Sequence, residues 1–88
     1  MTSKPKLWYL YILVCKDGTL YTGISIDVQA RLATHISGKG AAYTKQRGVS
    51  KLAYTEKLPD HSSALKRELQ VKKLTRQAKL NLIKPKGK

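Results

Sequence analysis

Two tyrosines, an arginine and a histidine follow one another at spacings that could place them around one phosphate group. Tyr11 and Tyr21 lie in runs of apolar and aromatic residues, and Arg31 and His35 lie one helical turn apart on the apolar side of the next segment. Polar groups on an inward face need partners. Because the planar fork of arginine matches phosphate oxygens, an inward Arg31 beside a sheet that carries tyrosines is predicted to hold a phosphate. The alternative is structural: core aromatics on a hairpin and hydrogen-bonded helix residues.

Glu68 is the exceptional residue of a later predicted helix. It projects into an arc made by Ala64, Leu65, Leu69 and Val71, while Lys66, Arg67 and Lys73 face elsewhere. In a chain with five acidic residues, a carboxylate on an apolar face suggests a purpose, and Mg²⁺ takes oxygen ligands. The alternative is an ion pair with Lys72, four residues further along the helix.

The turn between the two tyrosine runs decides whether Tyr11 and Tyr21 can act together, because strand side chains alternate between faces. A two-residue turn at Asp17 and Gly18 would place the tyrosines on opposite faces. A three-residue turn, Lys16-Asp17-Gly18, with Gly18 left-handed in a bulge, would place them on the same face. We predict the three-residue turn.

Apolar runs separated by turn residues predict three antiparallel strands, at residues 7–15, 19–24 and 51–57. Helical spacing predicts a helix over about 27–37, a second helix that starts between 60 and 63 and ends at about Leu74, and a final helix capped by Thr75. Residues 38–50 have no sustained period and are predicted to form an exposed loop. Since the residues of the first strand are apolar on both faces, helices should cover both sides of the sheet.

We therefore expect an α+β fold, with a small three-stranded antiparallel sheet flanked by helices. One domain, residues 7–83, should lie between a flexible N-terminal segment, residues 1–6, and a basic tail, residues 84–88.

The charge balance favours a polyanionic partner. Lys and Arg number 18 against 5 Asp and Glu, a formal net charge of +13. Nucleic acid ranks above membrane, because no apolar run approaches the ~20 residues that span a bilayer and no helix separates into basic and apolar halves. The lone Cys15 excludes an internal disulfide and is expected to be a buried strand residue. The first residues lack the apolar stretch of a secretory signal, so we expect a cytoplasmic protein.

Two triplets and their spacing carry a family resemblance. Tyr9-Leu10-Tyr11 is similar to the GIY element and Tyr21-Thr22-Gly23 to the YIG element, followed by the helix with Arg31 and His35 and by the late Glu68. Over residues 8–83 the chain resembles the GIY-YIG endonuclease superfamily. It departs from the pattern at Tyr9, where the first triplet usually has glycine, and at Thr22.

The resemblance implies a role for each matching position. Tyr11 corresponds to the general base that takes a proton from the attacking water, and Tyr21 to the tyrosine that orients water or phosphate. Arg31 corresponds to the arginine that stabilises charge on the phosphate, and Glu68 to the carboxylate that binds the metal, Mg²⁺ or Mn²⁺. At Gly23 the backbone leaves room for the site.

His35 and Tyr43 match positions that carry supporting polar groups. Because a free tyrosine has a pKa of ~10, we expect nearby positive charge to lower the pKa of Tyr11 if it is to act as a base.

The resemblance also implies a reaction and a partner: metal-dependent hydrolysis of DNA phosphodiester bonds, in DNA repair or processing. A small basic domain reads backbone and shape more readily than base edges, so we expect selectivity for structure rather than sequence. We expect a monomer, with a protein partner for recognition left open. One alternative is a nucleic-acid-binding module that keeps the fold, does not cleave and is indifferent to Mg²⁺. Another is an accessory interaction protein without nucleic-acid contacts.

Overall fold

The computed structural model describes residues 7–84, which form three strands and four helices. The strands are β1 (Trp8–Cys15), β2 (Leu20–Ser25) and β3 (Val49–Leu58), and the helices are α1 (Val28–Ile36), α2 (Ala42–Arg47), α3 (His61–Lys72) and α4 (Arg76–Ile83). The predicted segment 1–6 and all of the predicted basic tail except Lys84 lie outside the described residues. None of the helices in the described part of the chain has the length and apolar content needed to cross a bilayer.

The three strands form one antiparallel sheet in the order β2-β1-β3. The central strand, β1, is buried on both sides, with exposed fractions of 0 to 3% from Leu10 to Leu13. This burial confirms the prediction that the first strand, whose residues are apolar on both faces, is covered on both sides. Cys15 is buried at the end of the same strand, as predicted. The α+β fold predicted from the sequence is therefore the fold of the chain.

The turn between β1 and β2 has three residues, as predicted. The amide of Cys15 donates to the carbonyl of Thr19 over 2.8 Å, and the amide of Gly18 donates to the carbonyl of Cys15 over 2.9 Å. Gly18 has a φ of +87°, in the left-handed region that glycine adopts without a steric penalty. The resulting register pairs Tyr11 with Gly23 and places Tyr21 opposite Leu13.

Tyr11, Tyr21 and Gly23 consequently share one face of the sheet, which we call the tyrosine face. Residues of α1 and α2 contact these tyrosines, through a hydrogen bond to Tyr11 and a ring contact with Tyr21. The opposite face carries the apolar core. There Leu10 and Ile12 pack against Val71 of α3, with Leu82 and Ile83 of α4 at the edge. Helices therefore cover both faces.

Three helices begin with a side-chain cap, one of which is the cap predicted at Thr75. Asp27 accepts a hydrogen bond from the amide of Ala30, and Asp60 accepts one from the amide of Ser63. Thr75 accepts the equivalent bond at the start of α4. Each cap satisfies a backbone amide that has no partner within the first turn of its helix.

The predicted loop at residues 38–50 was wrong over its second half. Ala42–Arg47 form α2, and β3 begins at Val49, earlier than the predicted residue 51. Six residues are too few to show a helical period, and α2 is held by a tertiary contact of its buried Thr44 with His35. Gly48, with a φ of +76°, ends the helix.

The predicted apolar arc of α3 was also partly wrong. The residues of α3 that are buried are Ala64 and Val71, two turns apart, whereas Leu65 is 43% and Leu69 60% exposed. The buried pair lies about 100° around the helix from Leu65. Only one narrow side of α3 therefore packs against the sheet. Arg67, predicted to face elsewhere, is half-buried and forms an ion pair with Glu56 over 2.7 Å.

Candidate active site

A cavity of about 320 Å³ on the tyrosine face brings the predicted site residues together. Its lining includes Tyr11, Tyr21, Gly23, Arg31, His35 and Glu68. These six side chains and backbones come from β1, β2, α1 and α3, which are distant in sequence. Of the seven predicted site residues, Tyr43 lies outside this lining. Four elements thus converge on one small, polar cavity.

Tyr11 and His35 form the centre of a buried hydrogen-bond chain. The Tyr11 hydroxyl lies 2.9 Å from Nε2 of His35, and Nδ1 of His35 lies 2.7 Å from the Thr44 hydroxyl. The Thr44 hydroxyl donates to the carbonyl of Ala41, so it accepts from Nδ1–H. With its proton on Nδ1, the neutral imidazole has a lone pair on Nε2, which accepts from Tyr11. His35 is therefore positioned to receive the tyrosine proton.

The pKa of Tyr11 is shifted in the direction opposite to our prediction. The pKa of Tyr11 is raised to about 12, first by burial and second by the charge of Tyr21. The positive charge of Arg31 lowers the pKa, as expected, but it does not offset the loss of solvation, and Glu68 adds to the increase. Tyr11 is therefore protonated at neutral pH.

His35 has a lowered pKa, first because burial disfavours the imidazolium and second because Arg31 is close. His35 is therefore neutral at physiological pH, which agrees with its role as a hydrogen-bond acceptor for Tyr11. The same arginine lowers the pKa of both ring side chains. Its charge favours loss of the Tyr11 proton and opposes charging of His35.

Arg31 lies at the wall of the cavity rather than inside the protein. The prediction of an inward arginine was correct in direction, since Arg31 lines the cavity beside His35. It was wrong in depth, because Arg31 is an exposed residue. An exposed guanidinium that borders a cavity can still reach an incoming anion, and there it loses less solvation than a buried charge would.

Glu68 lies in the cavity and also forms the ion pair with Lys72 that was the structural alternative. Its carboxylate is 18% exposed and lines the cavity, and it also lies 3.3 Å from Nζ of Lys72. Lys72 is half-exposed, so this is a surface-type pair of small energetic value that a stronger ligand can replace.

A hard divalent cation fits this donor set. Within residues 7–84, no three His, Cys, Asp or Glu side chains cluster as a complete metal site. Mg²⁺ nevertheless is commonly held by one or two carboxylates together with water and substrate phosphates. Glu68 supplies one such carboxylate in the cavity that Tyr11 and Tyr21 also line, so the cavity fits an ion whose coordination is completed by the substrate.

Two glycines make the Tyr11–His35 contact possible. A Cβ at Gly23 would lie 2.5 Å from Oη and 2.6 Å from Cζ of Tyr11, far inside contact distance. A Cβ at Gly40 would overlap the His35 ring at Nδ1. Gly23 thus leaves room for the phenol of Tyr11, whereas Gly40 and Thr44 were not identified from the sequence. No pattern in residues 38–50 could have identified them.

Tyr43 lies between Tyr21 and Arg47 and contacts both side chains. Its ring centroid lies 5.9 Å from that of Tyr21, and the guanidinium of Arg47 lies 4.5 Å above the Tyr43 ring. Arg47 also forms an ion pair with Asp17 in the turn. Helix α2 is thereby fixed against the hairpin that carries Tyr21.

Comparison with known proteins places these features in a family. The model of the GIY-YIG catalytic domain matches residues 7–81. A UPF0213 protein of Staphylococcus haemolyticus is 49% identical over 75 residues, covering 85% of this chain and 92% of the relative. A UPF0213 protein of Streptococcus agalactiae is 51% identical over 76 residues, covering 86% of each.

Two solution structures are similar in fold. A UPF0213 protein of Bacillus halodurans is 45% identical, with a TM-score of 0.56, over 88% of this chain and 82% of the other. A protein of E. faecalis is 42% identical, with a TM-score of 0.59, over 93% of this chain and 88% of the other.

Proposed function

Because the chain belongs to the GIY-YIG catalytic-domain family, a nuclease superfamily, and within it to the small UPF0213 proteins, we propose that it is a divalent-metal-dependent DNA endonuclease. The observation that carries the proposal is the convergence of Tyr11, Arg31, His35 and Glu68 on one cavity. A base, a cation for the phosphate and an oxygen ligand for a metal ion are the groups that phosphodiester hydrolysis needs.

The attacking water is activated by a pair of linked proton transfers. Tyr11 remains a phenol until substrate binds, because its pKa is raised to about 12. The water donates its proton to the Tyr11 oxygen as Tyr11 donates its own proton to Nε2 of His35, over the 2.9 Å hydrogen bond. The water oxygen forms the new bond to phosphorus, and the bond from phosphorus to the leaving oxygen breaks. The leaving oxygen takes its proton from solvent water.

His35 is a suitable acceptor for this proton because it starts neutral. Its lowered pKa keeps Nε2 unprotonated at physiological pH, and Thr44 fixes the ring orientation through Nδ1. Tyr11 therefore acts as a relay between water and histidine rather than as a preformed tyrosinate. The relay removes the requirement for a strongly lowered tyrosine pKa.

Arg31 and Tyr21 act on the phosphate itself. The Arg31 guanidinium borders the cavity and shares the negative charge that develops on the phosphate oxygens. The Tyr21 ring, 6.4 Å from that of Tyr11 on the same face, orients the water or the phosphate.

Glu68 would hold the divalent ion, Mg²⁺ or Mn²⁺. When bound, such an ion polarises the phosphate and stabilises the negative charge of the leaving oxygen. The Lys72 ammonium near Glu68 balances its charge before the ion binds.

The substrate is DNA, selected by structure rather than by sequence, and the context is DNA repair or processing. The formal net charge of +13 supports binding to a phosphate backbone. A domain of this size has little surface beyond the site for reading base edges in a groove, which favours recognition of shape.

The rival function, binding without cleavage, is favoured by two observations. Tyr11 has a pKa of about 12, and Glu68 already has a cationic partner in Lys72. A module that only binds nucleic acid would use Arg31 and the basic surface and would have no need of a divalent ion.

Cleavage of labelled DNA distinguishes the two functions. The full chain is incubated with duplex, nicked, flapped, branched and single-stranded DNA, with Mg²⁺, with Mn²⁺ and with a chelator. The proposal expects metal-dependent cutting, faster on the interrupted or branched substrates than on intact duplex. Binding to every substrate with no cutting under either metal would reject it and support the binding module.

A further inference from the structure

A second cavity, of about 450 Å³, lies beside the candidate active site on the tyrosine face. Its apolar lining comes from Tyr9, Ile26, Val28 and Leu52. Gln29 and Thr55 add polar groups, and the N-cap residue Asp27 also lines the cavity. The matches to the GIY-YIG triplets gave no role to this cavity or to Gln29.

The two cavities share strand β1 and helix α1. Tyr9 is two residues from Tyr11 on the same side of β1, a separation of about 7 Å at the rise of an extended strand. Thr55 of β3 is the residue paired directly with Tyr11. On α1, Arg31 borders the first cavity and Gln29 the second. The first cavity, which Tyr11 and Arg31 line, and the second cavity, which Tyr9 and Thr55 line, are therefore neighbours along β1.

The chemistry of the second cavity suits a flat, neutral, partly polar group. Tyr9 offers an aromatic face for stacking, and the Gln29 amide has a donor and an acceptor that can meet the edge of a base. None of the described residues that line this cavity is basic, and the Asp27 carboxylate repels anions. A second phosphate is therefore disfavoured there.

We propose that the second cavity binds one unstacked nucleobase of the substrate, next to the phosphate held at Arg31. The proposal builds on the proposed function, since it assigns the base beside the bond that is cut. It also identifies the substrate class. A base can enter the cavity only when it has left the stack, which costs least at nicks, flaps and single-stranded segments.

Nuclear magnetic resonance with two small probes tests this inference without cleavage. The ¹⁵N-labelled full chain, without metal ions, is titrated with 2′-deoxyadenosine 5′-monophosphate and, as a matched control, with 2-deoxyribose 5-phosphate, which lacks the base. Both probes should shift the amide of Arg31. Only the nucleotide should shift the side-chain amide of Gln29 and the backbone amides of Leu52 and Thr55, and it should bind more tightly.

Two variants identify the stacking surface. Tyr9→Ala should weaken binding of the nucleotide by at least about five-fold, to the affinity of the sugar phosphate, and leave the sugar phosphate unaffected. Tyr9→Phe keeps the ring and should bind as the wild type does. The dispersed amide spectrum of each variant shows that it is folded.

Equal affinity of the two probes, base-dependent shifts outside the second cavity, or nucleotide binding unchanged in folded Tyr9→Ala would overturn the inference. The result is independent of the nuclease assay. If the chain shows the base-dependent shifts but cuts no DNA, the base site is supported and the proposed nuclease activity is rejected. If the chain cuts DNA but shows no such shifts, the nuclease activity is supported and the base site is rejected.

Discussion

The hydroxyl of Tyr11 lies 2.9 Å from Nε2 of His35, in a hydrogen bond buried between the central strand and α1. Thr44 fixes the other side of the ring and therefore its tautomer. The proton relay that we propose through this contact differs from the mechanism expected from sequence, in which a tyrosinate forms because positive charge lowers its pKa. A tyrosine whose pKa is about 12 can still transfer a proton if it passes its own to a neutral histidine.

Removal of the Tyr11 hydroxyl tests the proton path. Tyr11→Phe keeps the ring in its packed position and deletes the group between water and His35. We expect the single-turnover cleavage rate to fall by about 10²- to 10⁴-fold, the usual contribution of a general base. DNA affinity, measured with a chelator present, should be unchanged. Cleavage by folded Tyr11→Phe at the wild-type rate would contradict the path.

The pH dependence of cleavage should report His35. Neutral His35 accepts the proton, and its pKa is lowered by burial and by Arg31, so the rate should fall on the acid side only below the ordinary histidine value of ~6.5. Since the charge of Arg31 opposes protonation of His35, Arg31→Gln should move this acid limb to higher pH as well as lower the maximal rate.

Lys51→Gln serves as the matched control for that shift. It removes a positive charge from an exposed position on β3. Its acid limb should coincide with that of the wild type. An acid limb that stays in place in Arg31→Gln would show that the titrating group is not coupled to Arg31, against the structure.

Any larger residue at Gly23 should reduce the cleavage rate. The Cβ of Gly23→Ala would lie 2.5 Å from the Tyr11 hydroxyl, which is held by His35, so the phenol must move. A displacement of about 1 Å at a reacting group can reduce a rate by about 10²-fold, and we expect a loss of that size with the fold retained. Single-turnover cleavage and thermal unfolding measure the two effects.

Gly38→Asn is the comparison for that variant. Gly38 has a φ of +83° and open space around its Cα, a conformation that asparagine accepts more readily than other side chains. This variant should cut DNA at the wild-type rate. Wild-type activity in Gly23→Ala would mean that the close approach of Gly23 to Tyr11 has no part in catalysis.

The sequence predicts the fold and much of the site because its local signals agree. The residues of the Lys16-Asp17-Gly18 turn determine the register, and the register places Tyr11 and Tyr21 on one face. The caps Asp27 and Asp60 mark where two helices begin. These features depend on residues that are close together in the sequence, so they can be predicted from one sequence.

The parts that could not be predicted depend on contacts across the fold. Helical spacing gives the direction of Arg31 but not its depth, and the arc that holds Leu65 is exposed because only one side of α3 meets the sheet. The raised pKa of Tyr11 is a balance between burial and charge that has no counterpart in sequence. Thr44 reaches His35 from a helix too short to produce a period.

The most direct test of the central claim is the pair Glu68→Gln and Glu56→Gln, assayed for cleavage and binding of flapped DNA with Mg²⁺. Both carboxylates are partly buried, but Glu68 lines the cavity, whereas Glu56 forms an ion pair with Arg67. We predict that Glu68→Gln binds DNA and loses cleavage by at least about 10²-fold, while Glu56→Gln cuts as the wild type does. Equal, metal-stimulated cleavage by both variants would contradict the account, because the cavity would then have no carboxylate through which a divalent ion acts.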